Sequence, residues 1–410
     1  MSKVKPTIAV IGGGAAGFFA AINLDVSPMY SVVILEKSNK LLSKVKISGG
    51  GRCNVTHSCF DPKELTAFYP RGKKELRGPF SQFQPADTFD WFLKRGVDLK
   101  TEKDNRVFPT TDSSQTIIDC FLRIAEERNI SIRSQSGVVN IERKDNLWKI
   151  SLSDQSELEA EYVIVAAGSS PQFWDFLKTF GLEMSPQIPS LFTFNIDDER
   201  LRHLAGLSVP NGLVSIPSLN QESWGPVLIT HWGISGPGVL KLSSLAATEL
   251  FRLNYSFEIV VNWVGIEQEE LIELFKELRI QQPKKNIHTF SPIPIPIRLW
   301  NSLINKYISE AMKWADVSNE LIRKMAMEIC ACKLNVSGKS TFKDEFVTAG
   351  GVDLKEIDFK TMESKRFSKI YFAGEVLNID ALTGGFNFQA AWTTSWIAAQ
   401  HISSRIKKSD

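Results

Sequence analysis

The stretch TIAVIGGGAAGFFAAIN, Thr7 to Asn23, sets a short apolar strand directly before Gly12-x-Gly14-x-x-Gly17 and an alanine-rich helical run directly after it. A strand that must turn into a helix within three residues commits the chain to an α/β fold with a parallel sheet. Gly12 permits the tight turn, Gly14 lets backbone approach a pyrophosphate, and Gly17 lets the helix lie close on the strand. The anion would rest on the free N–H groups of the helix. A second apolar strand, Val32 to Leu35, ends in Glu36, nineteen residues after Gly17. A carboxylate there accepts both ribose hydroxyls and disfavours a 2′-phosphate. Lys3 and Lys5 precede the apolar run as in a secretory leader, but the glycines interrupt the run and no small-residue cleavage site follows.

A second turn of the same kind lies near the other end, in KIYFAGEVLNIDALTGGFNFQAAWTTSWIAAQHI. Ile370 to Ala373 reads as a buried strand, and Phe386 to Ile402 as a long helix entered through Gly384-Gly385. A helix start aimed at N1 and the C2 carbonyl of a flavin stabilises the negative charge of its reduced form. The two turns together read as one cradle for FAD. A third glycine cluster, KISGGGRCNVT from Lys46 to Thr56, carries Arg52 and Asn54, suited to hold phosphate and flavin ring oxygens.

With GGGRCN and GEVLNIDALTGGFNFQ both present, the chain resembles the bacterial YhiN/BaiN-type FAD-dependent oxidoreductases, which include aminoacetone-oxidase-like and 3-dehydro-bile-acid-reductase-like members. Further matching stretches follow in the family's order: RVFPTTDSSQTIID from Arg106, VIVAAGSSP from Val163, THWGISGPGVLKLS from Thr230 and FVTAGGVDLKEID from Phe346. The resemblance implies one FAD per chain, held by a Rossmann-like FAD-binding domain interrupted by an inserted β-barrel plus helical domain. It carries FAD contacts onto Ile11, Gly12, Gly14, Ala15 and Ala16, and onto Glu36 and Lys37. In the third glycine cluster it marks Ser48, Gly49, Gly50, Gly51, Arg52, Cys53 and Asn54. Beyond that it marks Val139, Ala167, Gly168, Gly374, Glu375, Asp380, Gly384, Gly385, Phe386, Asn387 and Phe388. Most of these would act through backbone atoms.

The 410 residues, 43% hydrophobic, suffice for two or three domains. Strand and helix patterns alternate over residues 1–190, with an amphipathic helix near Ser113 to Arg128, strands near Ile130 to Arg133 and Leu147 to Leu152, and a buried strand at Tyr162 to Ala166. This segment and residues 345–410 form the expected FAD-binding domain. Residues 191–344 form the insertion, with short β-like runs at about 191–265 (LFTFNI, LVSIPSL, GPVLITHW, YSFEIVVNWV) and helices at about 266–335. SPIPIPIRLW reads as an extended connector, since successive X-Pro units disfavour helix. The closing KKSD is expected to fray.

A net charge of +2, from 48 basic and 46 acidic residues, gives no electrostatic case for nucleic acid or an anionic membrane, and no apolar run is long enough to span a bilayer. An RNA-modifying flavoprotein is disfavoured on the same ground. The histidines and cysteines show no metal-ligand spacing, so no metal is expected. Five cysteines without paired spacing fit reduced thiols in a cytoplasmic protein. Oligomeric state is not legible.

Flavin N5 exchanges hydride while protein supplies orientation and electrostatics, so function depends on what reaches that atom. The favoured reading, supported mainly by the resemblance, is an oxidoreductase in which NAD(P)H acts as transient electron donor and an unsaturated ketone or similar small molecule is reduced. An oxidase of a small amine or alcohol would use the same cradle. A non-catalytic flavin-bound redox sensor is a third reading. A disulfide reductase built on Cys53 and Cys59 is disfavoured, because five intervening residues would point the sulfurs apart on a helix and no second nicotinamide-binding unit follows. His231, in THWGISGPG, is the candidate proton relay. Arg106, Phe108, Pro109, Trp232, Phe386 and Trp392 are the candidates for a substrate wall, although aromatic residues at such spacing are more often core.

Overall fold

The structure, a computed structural model, describes residues 5–26, 28, 30–340 and 347–408. The chain divides into two compact units, Met1–Gln187 with Thr348–Asp410, and Ile188–Val347. The expected domain return at 345 and the frayed end at Ser409 and Asp410 lie outside the described residues.

In the first unit, Thr7–Ile11 forms β1, Ala15–Asn23 forms α1 and Ser31–Leu35 forms β2. β1 and β2 are parallel, in register from Thr7 opposite Ser31 to Ile11 opposite Leu35. The third glycine cluster ends α2, Ser43–Gly51, a helix broken by non-helical backbone at Ser48, Gly49 and Gly50. β3, Thr56–His57, then pairs antiparallel with β4, Arg106–Pro109. α3, Ser114–Glu127, starts at Ser113, whose hydroxyl accepts from Gln115 N at 3.3 Å. β5, Ser131–Arg133, pairs parallel with β2.

β6, Tyr162–Val165, is buried at every position, as a parallel strand covered on both faces must be. It pairs with the other side of β1. β7, Ile370–Phe372, comes from the far side of the second unit in sequence and pairs parallel with β6. α4, Phe386–Lys407, follows and packs on α1, with Ser395 Oγ donating to Ala16 O at 2.8 Å and the Phe19 and Trp392 rings 5.0 Å apart. It runs past the expected end at Ile402 because buried Ser403 and Ile406 extend its inward face.

The five parallel strands lie in the order β7-β6-β1-β2-β5, with two short antiparallel strands, Glu363–Ser364 and Ile357–Asp358, beyond β7. From β1 the chain builds outward through β2 and β5 on one side, and through β6 and β7 on the other. The order therefore reverses between β1 and β6, and ligands of open α/β sheets bind at the carboxyl ends of strands at such a point. An antiparallel sheet of Val138–Lys144, Leu147–Leu152 and Glu157–Ala160 also belongs to this unit, and only its middle strand is marked by an expected strand pattern.

The second unit holds a seven-stranded antiparallel sheet in the order Cys332–Val336, Phe257–Asn262, Ser208–Ile216, Gln221–Ile229, Gly233–Ser235, Thr193–Asn195, Gly338–Ser340. Two of these strands lie beyond the helical segment, so the sheet is not confined to 191–265. The two outermost strands are consecutive in sequence, with Ser337 alone between them. Helices Gln268–Gln281, Ile297–Ile304 and Asn319–Cys330 share a core of Phe275, Trp300 and Met325. Ile297 to Trp300, expected in the connector, are helical, since Pro296 is the last residue to restrict its neighbour.

The turn after β1 is made by contact of backbone with backbone. Gly12 has φ +112°, and a Cβ there would lie 2.3 Å from Ala166 O. A Cβ on Gly17 would lie 1.8 Å from Gly12 O. Gly17→Ala should therefore cost about 1–3 kcal/mol, measurable by urea unfolding, through displacement of α1 from β1. A wild-type unfolding midpoint would show that the close approach is not required.

Candidate functional site

α1 begins at Gly14 with no side-chain cap and no acid in its first turn. Its first amides are unpaired within the helix, and its dipole favours an anion there. A Cβ on Gly14 would meet nothing within 4 Å, so the start of α1 opens outward between Ile11 and Ala16. At the carboxyl end of β2, Glu36 is held on both oxygens, Oε2 accepting from Gly13 N at 2.8 Å and Oε1 from Ser38 N at 2.9 Å. The carboxylate is thus oriented beside the anion-favouring turn with lone pairs left for a ligand. Lys37 Nζ donates to Ser170 Oγ at 3.0 Å. Ser136 N donates to Glu36 O, which brings the start of the Val138–Lys144 strand alongside; Val139 lies on that strand with its side chain 55% exposed.

The ends of β6 and β7 meet the same edge. Ala167 and Gly168 follow β6, and Trp174 Nε1 donates to Gly168 O at 2.8 Å. Gly374 follows β7 and passes so close to α1 that a Cβ would lie 2.6 Å from Ala16 Cβ. Its amide donates to Thr394 Oγ1 at 3.0 Å. Glu375 forms an ion pair with Lys44 of α2, joining the third glycine cluster to the β7 turn. Gly50 and Gly51 likewise face open space.

α4 starts from Gly385, at φ +88°, where a Cβ would fall 2.4 Å from Thr56 O. This start also has no side-chain cap and no acid in its first turn. Asn387 instead braces the preceding loop, accepting from Ala381 N at 3.0 Å and donating to Ala381 O at 3.2 Å. Phe386 is buried and stacks on Phe68 at 4.2 Å, with Gly384 beside its ring. Phe388 stacks on Trp392 at 5.3 Å. His57 stacks on Phe386 at 4.5 Å, and its Nδ1 is buried with no protein partner.

Several expected ligand groups are engaged elsewhere. The Arg52 guanidinium binds Glu102 at 2.6 Å and lies over the Phe108 ring at 4.0 Å, so its side chain serves the protein. Asn54, its amide oriented by its neighbours, donates to Thr56 O and Val107 O and accepts from Gly385 N at 2.9 Å; it braces the α4 turn. Asp380 is fully buried and forms a two-oxygen pair with Arg71. Burial pushes the Cys53 thiol up to about 12, which keeps it protonated. Cys53 and Cys59 lie beyond α2 rather than on a helix, so the helical rotation invoked against a disulfide pair does not apply; the buried, neutral thiol argues against it instead. Phe108, Pro109 and Trp392 are buried core, Arg106 pairs with Asp104, and Trp232 is 60% exposed. His231 belongs to the second unit, on the exposed turn between Gln221–Ile229 and Gly233–Ser235.

Sequence reasoning missed Lys44, Arg71 and His57. Only His57 had a local signal, three residues beyond GGGRCN. Among the described residues there is no group of three or more His, Cys, Asp or Glu that could hold a metal ion, and no helix long and apolar enough to cross a membrane.

Two uncapped helix starts, a backbone-held carboxylate at the β2 end and a buried unpartnered imidazole nitrogen suit a molecule with a pyrophosphate, a ribose and a polar ring. FAD fits that donor set. A family model described as HI0933-like protein Rossmann domain matches residues 6–401. The chain is similar to the ribosomal RNA dihydrouridine synthase of Escherichia coli (strain K12), with 27% identity covering 96% of this chain and 97% of that protein. It is also similar to the 3-dehydro-bile acid delta(4,6)-reductase of Clostridium scindens, with 25% identity covering 97% and 99%. Among solved structures, the 3-ketosteroid-delta4-(5alpha)-dehydrogenase of Rhodococcus jostii RHA1 shares the fold at a TM-score of 0.51, with 12% identity and 98% of each chain covered. The chain belongs to the HI0933-like, YhiN/BaiN family and is an FAD-dependent oxidoreductase with a Rossmann-like FAD-binding fold.

Proposed function

We propose that the protein reduces a carbon–carbon double bond conjugated to a carbonyl, with NAD(P)H as transient electron donor to FAD. The observation that carries this reading is the uncapped, acid-free start of α4 at Gly385, on the helix that packs against α1 further along its length. When bound, FAD supplies hydride exchange at N5. The chain's own groups would hold it: the α1 amides the pyrophosphate, Glu36 the ribose, and the α4 amides the electron-rich pyrimidine end of the flavin. Pairing with Arg71 offsets the carboxylate of Asp380 on the loop that leads into α4, and pairing with Lys44 offsets that of Glu375 on the β7 turn.

The names of two relatives support the bond type. Dihydrouridine differs from uridine by two hydrogens across a double bond next to a carbonyl, and a 3-dehydro bile acid with delta(4,6) unsaturation presents the same conjugation. In either case hydride adds to the carbon remote from the carbonyl and a proton to the adjacent one. The relay role proposed for His231 rests on its motif. The continuity of the outermost strands through Ser337 supports reading the second unit's sheet as a barrel.

A uracil in RNA is a specific second form of this reading. Lys73, Lys74 and Arg77 are exposed on the segment whose Arg71 binds Asp380 and whose Gly72 lies against Ile379. A neutral overall balance conceals this basic run beside the loop that leads into α4, so net charge does not argue against RNA here.

Anaerobic mixing tests the reaction class. NADH or NADPH should bleach the flavin, and a 3-oxo-4-ene steroid, uridine or a uridine-containing RNA should restore its colour. Bleaching by a small amine or alcohol, with recolouring by oxygen alone, would replace this reading by the oxidase one. The cradle itself is tested by Gly14→Val. The site has φ −91° and open space for a side chain, so apo stability should change little while FAD binds at least tenfold more weakly. Undiminished FAD affinity would remove α1 from the site.

A further inference from the structure

We propose that Lys44 is a positioning residue for a diphosphate at the start of α1, acting by cancelling the charge of Glu375. The inference rests on the FAD reading above and goes beyond it by giving a task to a cation that lies outside the contacts the family resemblance implies.

A closed ring of contacts surrounds the first turn of α1. Leu42 N donates to Gly13 O at 2.9 Å, which sets the start of α2 on the turn after β1. Two residues further on, Lys44 reaches Glu375 on the β7 turn. The residue before Glu375 is Gly374, where a Cβ would lie 2.6 Å from Ala16 Cβ. Ala16 leads back through Ala15 and Gly14 to Gly13, and the ring is complete. Within it, the Lys44–Glu375 pair is the link made by charge.

Glu375 is fixed in this position from several sides. A Cβ on Gly168, after β6, would lie 3.7 Å from its Oε2, and its Oε1 accepts from Thr348 N at 3.5 Å. Lys44 Nζ also donates to Ser169 Oγ at 3.4 Å, so both members of the pair are tied to the β6 turn or its neighbours.

The uncapped first turn of α1 favours an anion, and a carboxylate one residue from the Gly374–Ala16 contact opposes the same anion. Lys44 stands in the first turn of α2, where the helix dipole disfavours a cation and no acid of that turn can pair with it. Glu375 accounts for its placement; its own helix does not. More than half of the Lys44 side chain is exposed, and an exposed ion pair adds little to folding stability. What the pair does is remove a negative charge from the rim of an anion site.

Four proteins separate the charge from the bridge: wild type, Lys44→Met, Glu375→Gln and the double variant. Thermal unfolding of each apo protein confirms folding. FAD and ADP are then titrated into each at low and at high salt, ADP carrying the ribose and diphosphate without the flavin ring. At low salt Lys44→Met should bind both ligands about fivefold more weakly and Glu375→Gln at least as tightly as wild type, with the double variant back within about twofold of wild type. In about 1 M salt these differences should shrink. Loss in all three variants shows that the bridge itself is required, and overturns the proposal. Lys44→Met within about twofold of wild type for FAD, or a pattern seen with FAD and absent with ADP, overturns it too while leaving the FAD reading intact. Should Lys44→Met fail to fold, Glu375→Gln decides alone: affinity at or above wild type with a steeper salt dependence supports the proposal, and the lack of either overturns it. Wild-type protein that takes up no FAD overturns the FAD reading itself.

Discussion

Three peptide groups pressed together without side chains hold the first unit in place. Gly17 lies on the carbonyl of Gly12, and Gly12 lies on the carbonyl of Ala166. The first contact sets α1 on β1, and the second sets the end of β6 beside the β1 turn. Because α4 packs on α1 and Gly374 packs on Ala16, the β7 turn inherits its position from the same contacts. No polar anchor could substitute, since any side chain at these points would separate the backbones by more than the site tolerates.

Charge is handled differently at the two ends of the cradle. At the carboxyl end of β2, two backbone amides fix Glu36 without neutralising it. Elsewhere the acids are matched by cations, Asp380 on the loop that leads into α4 by Arg71 and Glu375 on the β7 turn by Lys44. Asp380 is the more demanding case, because a fully buried carboxylate without its partner would be costly by several kcal/mol. Its bond to Arg71 also fixes where the following basic residues emerge.

Periodicity and glycine chemistry are local, and the elements that depend on them are legible: Thr7–Ile11, Leu147–Leu152, the bounds of α3 to within a residue and the start of α4 at Phe386. Non-local pairing is not. Cys332–Val336 and Gly338–Ser340 join a sheet whose other strands precede the helices, and nothing in their own pattern names those partners. Side-chain pairings are illegible for the same reason, as Arg52 turns to Glu102 and Asp380 to Arg71, pairings no spacing rule anticipates. The glycine turns themselves are legible, because their backbone geometry is set close in sequence.

The position of β7 has a consequence for assembly in the cell. Its neighbour β6 is complete before any of the second unit is synthesised, and β7 and α4 follow only after all of it. As the polypeptide leaves the ribosome, the early segments can form β1, α1 and β2 but have no α4 to shelter Phe19 and no β7 to close the edge beside β6. Of the segments that build the first unit, α4 is the last made, so the packing that covers α1 and the pairing that closes β6 are completed only after the whole second unit has been synthesised.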